Sequence, residues 1–108
     1  VPIGSSVEQI DHLSAGSTNT LFDITYSGNE NLIVKYSIKE ETTNNKQVGQ
    51  LYITSNGTDT SLSDTSTSTG DVQVTFSAFI NGSDIRVEYT SAGTEDLDIK
   101  YFIDSWSD

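Results

Sequence analysis

The chain holds one histidine, His12, beside Asp11, and no cysteine. A histidine works as a general base only next to a nucleophile, with a third group holding its ring. Serines abound, but none stands in the Gly-x-Ser-x-Gly setting that exposes a nucleophile on a strand-to-helix turn. His12 therefore reads as a solvent-facing strand residue, and no catalytic residue is assigned. Without cysteine, disulfides and thiolate–zinc sites are excluded. Asp59, Asp64 and Asp71, or Glu95, Asp96 and Asp98, offer the hard oxygen ligands that Ca²⁺ takes. Glu40-Glu41 opens another polar loop. Neither trio has EF-hand spacing, and 16 acidic residues in 108 must bring some together by chance. The expectation is solvated loop charge, with no metal and no cofactor.

Asn56-Gly57-Thr58 and Asn81-Gly82-Ser83 match the N-glycosylation acceptor pattern at Asn56 and Asn81. Asn-Gly followed by a hydroxyl residue is also ordinary hairpin chemistry. Tyr52, Phe79, Phe102 and Trp106 fall opposite to, or just beyond, the clearest apolar ladders. Exposed in a row, such rings would stack on sugars. Gathered in a patch, they would meet another protein surface. The second reading is preferred, with Tyr52, Phe79 and Phe102 as subunit-contact residues.

The elements that must position these residues are strands. Val72, Val74, Phe76 and Ala78, then Ile85, Val87 and Tyr89, then Leu97, Ile99, Tyr101 and Ile103 each recur at a period of two. Asn-Gly turns punctuate them, since glycine accepts the positive φ of tight hairpins. Eight strands are predicted: 6–13, 20–26, 31–39, 47–54, a short piece around Leu62, 71–80, 84–90 and 97–104. Val7, Ile10 and Leu13 do not share a parity, so the first strand should carry a bulge. Phe22, Ile24 and Tyr26 should share one face of the second. The core should contain Val34, Tyr36, Val74, Phe76, Val87, Ile99 and Tyr101. Residues 58–71, rich in Ser, Thr and Asp, read mainly as a polar connection. Turn signals between short strands at this spacing indicate an all-β, immunoglobulin-like antiparallel β-sandwich of about eight short strands, in a single domain over 1–108.

A net charge of −11 opposes nucleic acid and anionic lipid, which need Lys and Arg to displace counterions. No apolar run approaches the ~20 residues of a membrane span. Val1, Ile3 and Val7 share a parity at the free N-terminus, with Pro2 on the other. Residues 1–7 can pair within their own sheet or add to the edge of a neighbour. The latter makes Val1, Ile3 and Val7 further subunit contacts.

Residues 49–101 read Gly-Gln-Leu-Tyr-Ile-Thr-Ser-Asn-Gly-Thr, Ser-Leu-Ser-Asp, Thr-Gly-Asp-Val-Gln-Val-Thr-Phe-Ser-Ala, Ile-Asn-Gly-Ser-Asp-Ile-Arg-Val-Glu-Tyr-Thr and Leu-Asp-Ile-Lys-Tyr. This half of the chain resembles small β-sandwich domains of bacteriophage virion proteins, such as tail fibres and other appendages. A donor-strand, pilus-like filament subunit fits the same residues. The resemblance implies no catalytic residues. It implies a non-catalytic building block, extracellular or on a virion surface, that meets copies of itself through edge strands and an apolar face as an oligomer or filament. The alternative is a carbohydrate- or receptor-binding module at a fibre tip, with a surface glycan as partner.

Overall fold

Alternating apolar residues need two facing surfaces to bury them, and eight strands supply these as two antiparallel sheets. The computed structural model describes residues 5–108. The strands are β1 (Ser5–Leu13), β2 (Thr18–Thr25), β3 (Asn31–Glu40), β4 (Lys46–Ser55), β5 (Thr60–Ser68), β6 (Val74–Asn81), β7 (Asp84–Ser91) and β8 (Leu97–Trp106). One sheet has the order β1-β8-β3-β4-β5, the other β2-β7-β6. Among the described residues no helix is long and apolar enough to cross a membrane. The layering is that of the expected sandwich. Its wiring nests distant segments, β1 against β8 and β2 against β7. The first strand is thus held by the last, and three of the six pairings, β1 with β8, β2 with β7 and β3 with β8, close long loops.

The core lies between the sheets. Leu32, Val34, Tyr36 and Ile38 enter it from β3, Leu51 and Ile53 from β4, Ile85, Val87 and Tyr89 from β7, and Leu97, Ile99 and Tyr101 from β8. Val74 and Phe76, expected in the core, are partly covered and pack against its rim. They lie on β6, an edge strand of the smaller sheet, where cover runs out. Phe22, Ile24 and Tyr26 also pack against the core, as their shared parity requires. Leu21 is buried too, because the register shifts between Thr20 and Phe22. The expected irregularity in β1 falls between Ser5 and Gln9.

Three buried tyrosines keep one polar end satisfied each. Tyr89 on β7 donates to Asp11 Oδ2 on β1 at 2.8 Å, and Tyr101 on β8 donates to the Leu21 carbonyl on β2 at 2.9 Å. Both bonds tie one sheet to the other. Tyr36 donates to Asp64 Oδ1 at 2.7 Å and accepts from Gln47 Nε2 at 3.0 Å. Burial first, and the Asp64 carboxylate second, push the Tyr36 phenol up to about 12. Its ring meets Phe76 of the opposite sheet at 4.8 Å between centroids.

Two expectations need correction. Residues 58–71 are not mainly a connection, since Thr60–Ser68 form a full edge strand paired with β4 from Ser55↔Thr60 to Gln47↔Ser68. The sixth strand starts at Val74 rather than 71. Gln73 takes φ 57°, a left-handed conformation that breaks the ladder, while Val72 ahead of it stays buried. The Asn81-Gly82 hairpin joins Asn81↔Asp84 through Gly82-Ser83, with Gly82 at φ 65° in the first loop position, the geometry of a type II′ turn.

Candidate functional site

Strand register decides which side chains meet on the outer face of the five-stranded sheet. Lys35 stands between Gln50 and Phe102, Ser37 between Val48 and Lys100, and Ile33 between Tyr52 and Asp104. Lys39 stands between Lys46 and Asp98. Ile10 lies opposite Lys100, and the β5 residues Ser63, Thr65 and Thr67 lie opposite Tyr52, Gln50 and Val48. The face therefore combines exposed apolar groups, a hydroxyl row and lysines. Ile10 is 66% exposed, Val48 55%, Tyr52 45%, Phe102 37% and Trp106 46%. Five large apolar residues are open to water on this one face, interleaved by register with Lys35, Ser37, Asn31 and Lys100.

Tyr52 and Phe102, expected together, do share this face. Phe79, expected with them, is 38% exposed but lies across the molecule, on β6 opposite Arg86. Reading by parity alone identified each ring as outward and could not say outward from which sheet. Trp106, at the end of β8, joins Tyr52 and Phe102 instead. Val1 and Ile3 lie outside the described residues, as does the Val7 side chain. The chain enters β1 at Ser5, paired with Ile103 of its own β8. Asn56, just past β4, and Asn81, the last residue of β6, are both exposed. The Asn56 Oδ1 already accepts from the amides of Thr58 and Asp59 at 2.9 and 2.8 Å.

His12 points to the corner of the same face. Its Nδ1 lies 3.0 Å from Asp98 Oδ1 and 3.1 Å from Glu41 Oε2, and its Nε2 lies 3.6 Å from Asp96 Oδ2. Asp11, its sequence neighbour, points to the other side of β1 and serves Tyr89. Of the acids that sequence reasoning grouped, Asp96 and Asp98 both reach the His12 ring, and none of the proposed trios closes on itself. Glu95 accepts from the Thr42 and Thr43 amides at 3.0 and 2.9 Å, and Asp96 accepts from the Ala15 amide at 2.9 Å. Asp64 holds Tyr36, and Asp71 accepts from the Gln73 amide at 3.1 Å. The set that converges is His12, Glu41 and Asp98, with ligating atoms within 4.8 Å of one another and all three residues exposed. Such mixed donors are able to hold a divalent ion, but here they bond to each other. The ring meets carboxylates and no hydroxyl, so its basicity rises without a nucleophile to activate.

The hydrogen bond that His12 donates to Asp98 is the largest cause of a His12 pKa above the usual 6.5, with Glu41 and Asp96 adding to it. Glu41 is raised as well, mainly by the hydrogen bond it shares with Asp98. For a histidine raised on folding, the contribution to stability is complete below its unfolded pKa. It disappears as pH climbs through the folded value. An NMR titration should therefore place the His12 midpoint above 6.5, and Asp98→Asn should lower it. A midpoint that Asp98→Asn leaves unmoved would show that this pair does not govern the ring.

No family model and no curated protein matches the chain. Among solved structures it is similar to the tailspike protein of Acinetobacter phage vB_ApiP_P1. The identity is 18% and the TM-score 0.49, over 96% of this chain and 21% of that one. It is also similar to tailspike protein gp49 of Acinetobacter baumannii bacteriophage Fri1, described as a capsular polysaccharide depolymerase. There the identity is 14% and the TM-score 0.47, over 95% of this chain and 19% of that one. The chain spans about a fifth of either tailspike. By its own strands it is an all-β, two-sheet antiparallel sandwich.

Proposed function

We propose that this chain is a non-catalytic contact module of a virion appendage, working through the outer face of its five-stranded sheet. The observation that carries the reading is the composition of that face. Ile10, Val48, Tyr52, Phe102 and Trp106 stay open to water there, next to every lysine of the chain. An uncovered apolar face of this kind costs solubility unless something meets it. The resemblance of residues 49–101 to virion β-sandwich domains supports the setting, on the virion surface. The opposite sheet offers less, because its Arg86 is already held by Asp23 through bonds of 2.8 and 3.2 Å.

A second reading has the same face meeting a copy of this chain, as a homo-oligomer or filament subunit would. The apolar residues favour it. Two copies at −11 repel, so that association should strengthen with salt, which screens over ~8–10 Å. Amide chemical-shift mapping tests the shared claim, with contacts formed by raising the protein concentration and by adding a ligand. Contact through the proposed face moves Ser37, Val48, Tyr52 and Phe102. Contact that moves Ser77, Phe79 and Arg86 instead would overturn it.

A further inference from the structure

Lys35, Lys39, Lys46 and Lys100 are the only lysines of a chain with 16 acidic residues, and all four lie on one face. Among the described residues none of them has a carboxylate within 4.0 Å, whereas Arg86 does. Lys39 and Lys46 stand directly opposite each other, an arrangement of like charges that weakens strand pairing. Asp98, the neighbour that would compensate Lys39, is drawn to His12 instead. The sheet therefore holds an uncompensated positive node in a strongly negative molecule. An anion from outside would relieve it.

The surface around the node is a trough. A groove of about 590 Å³ is lined by Lys39, Lys46, Lys100, Val48 and Thr67, with one carboxylate, Asp98, which is engaged by His12. A second, of about 520 Å³, is lined by Lys35, Gln50, Tyr52, Thr65 and again Val48 and Thr67. The shared residues make the two continuous. Lys35 lies four residues from Lys39 along β3, roughly 13 Å at the rise of a strand. Positive charge thus recurs along the trough at intervals, with neutral stretches between. Those stretches carry aromatic rings and hydroxyls. The Tyr52 hydroxyl donates to Gln50 Oε1 at 2.9 Å, which fixes the ring edge and leaves the Gln50 amide nitrogen as a donor.

We propose that this trough binds an acidic polysaccharide, a sugar chain whose carboxylates meet the lysines while its rings and hydroxyls meet Tyr52, Gln50 and the Ser/Thr row of β5. The inference rests on the reading of the outer face as the contact surface. Nucleic acid fits less well, because its affinity comes from many Lys and Arg displacing counterions and this face supplies only four lysines. A second copy would bring the same net charge and, face to face, the same lysines. An acidic polysaccharide spaces its carboxylates by whole sugar rings and carries neutral hydroxyls between them, so that lysines and the Tyr52, Gln50 and Ser/Thr groups each meet a matching partner.

Isothermal titration at low salt tests this, with polygalacturonate as the probe, dextran as the neutral sugar and poly-L-glutamate as the anion without sugar. Polygalacturonate should bind, and dextran should not. Poly-L-glutamate should bind far more weakly, and added NaCl should release the polygalacturonate. Lys39→Glu with Lys100→Glu should lower the affinity about tenfold or more, the sum of two modest ion pairs lost. Tyr52→Ala should weaken it separately, and Ser77→Glu on the opposite sheet should not. Circular dichroism on each variant confirms that it is folded. Absence of polygalacturonate binding, equal binding of poly-L-glutamate, or indifference to the lysine variants would each overturn the proposal. If polygalacturonate fails while the outer face still mediates self-association, this inference falls and the contact-module reading stands. If the face answers to neither, both fall.

Discussion

Replacing Tyr89 by alanine should destabilise the sandwich by about 3–5 kcal/mol, the range for deleting a large buried aromatic side chain. Tyr89 is fully buried on β7, the central strand of the smaller sheet. Its ring stacks near Phe76 at 6.2 Å between centroids. Its hydroxyl crosses to Asp11 on β1, and burial, with Asp11 next, pushes the phenol far above its usual pKa. Deleting it removes packing and an inter-sheet tie at once. Tyr89→Phe separates the two. It keeps the ring but leaves Asp11 without its donor, and should cost roughly 1–3 kcal/mol. Urea titration measures both. A Tyr89→Ala loss under about 1 kcal/mol would mean that the ring is not in the core.

Gly49→Ala should be the second severe substitution, although it adds only one methyl group. Gly49 sits on the inner side of β4, paired with Tyr36 on one side and Ser66 on the other. A Cβ there would lie 2.6 Å from the Thr65 carbonyl oxygen, 2.6 Å from Ser66 Cβ and 2.9 Å from the Tyr36 hydroxyl. Two of these belong to β5 and cannot swing away as a long side chain would. Relief requires β5 to move, and with it the Asp64 that holds Tyr36. The expected cost is about 1–3 kcal/mol or more, as for overpacking elsewhere. Hydrogen exchange should show the loss first in β5. A variant as stable as the parent, with β5 amides equally protected, would contradict this packing.

The strands that bury a full apolar ladder were legible. Residues 31–39, 84–90 and 97–104 are strands in the structure, because inward residues at every second position leave one stable face assignment. β5 was nearly invisible for the opposite reason. Only Leu62 of its nine residues is a large apolar group, and the rest is Ser, Thr and Asp. An edge strand with little to bury has no hydrophobic period, so Leu62 marked only a short piece of it and the threonines were the one further hint. Leu21 escaped because a register shift reverses the parity that Phe22 and Ile24 announce.

The candidate face was legible in part. Lys35 and Lys39 share a parity on one strand, so their common side could be read directly. Lys46 and Lys100 join them only through the pairing of β4 and β8 with β3, which sequence spacing does not encode. The same holds for His12, whose carboxylates come from β8 and the turn after β3 rather than from adjacent Asp11. Phe79 shows the converse error. Its outward parity was right, and the sheet it belongs to sends it to the far side.

The central claim is that the outer face of the five-stranded sheet is the working surface of this module. Amide chemical-shift mapping of the full chain addresses it most directly, recorded against rising protein concentration and against polygalacturonate. Shifts should gather on Lys35, Ser37, Val48, Gln50, Tyr52 and Phe102, with Ser77, Phe79 and Arg86 unmoved. Shifts gathered on the three-stranded sheet, with the lysine-bearing face silent in both series, would contradict it.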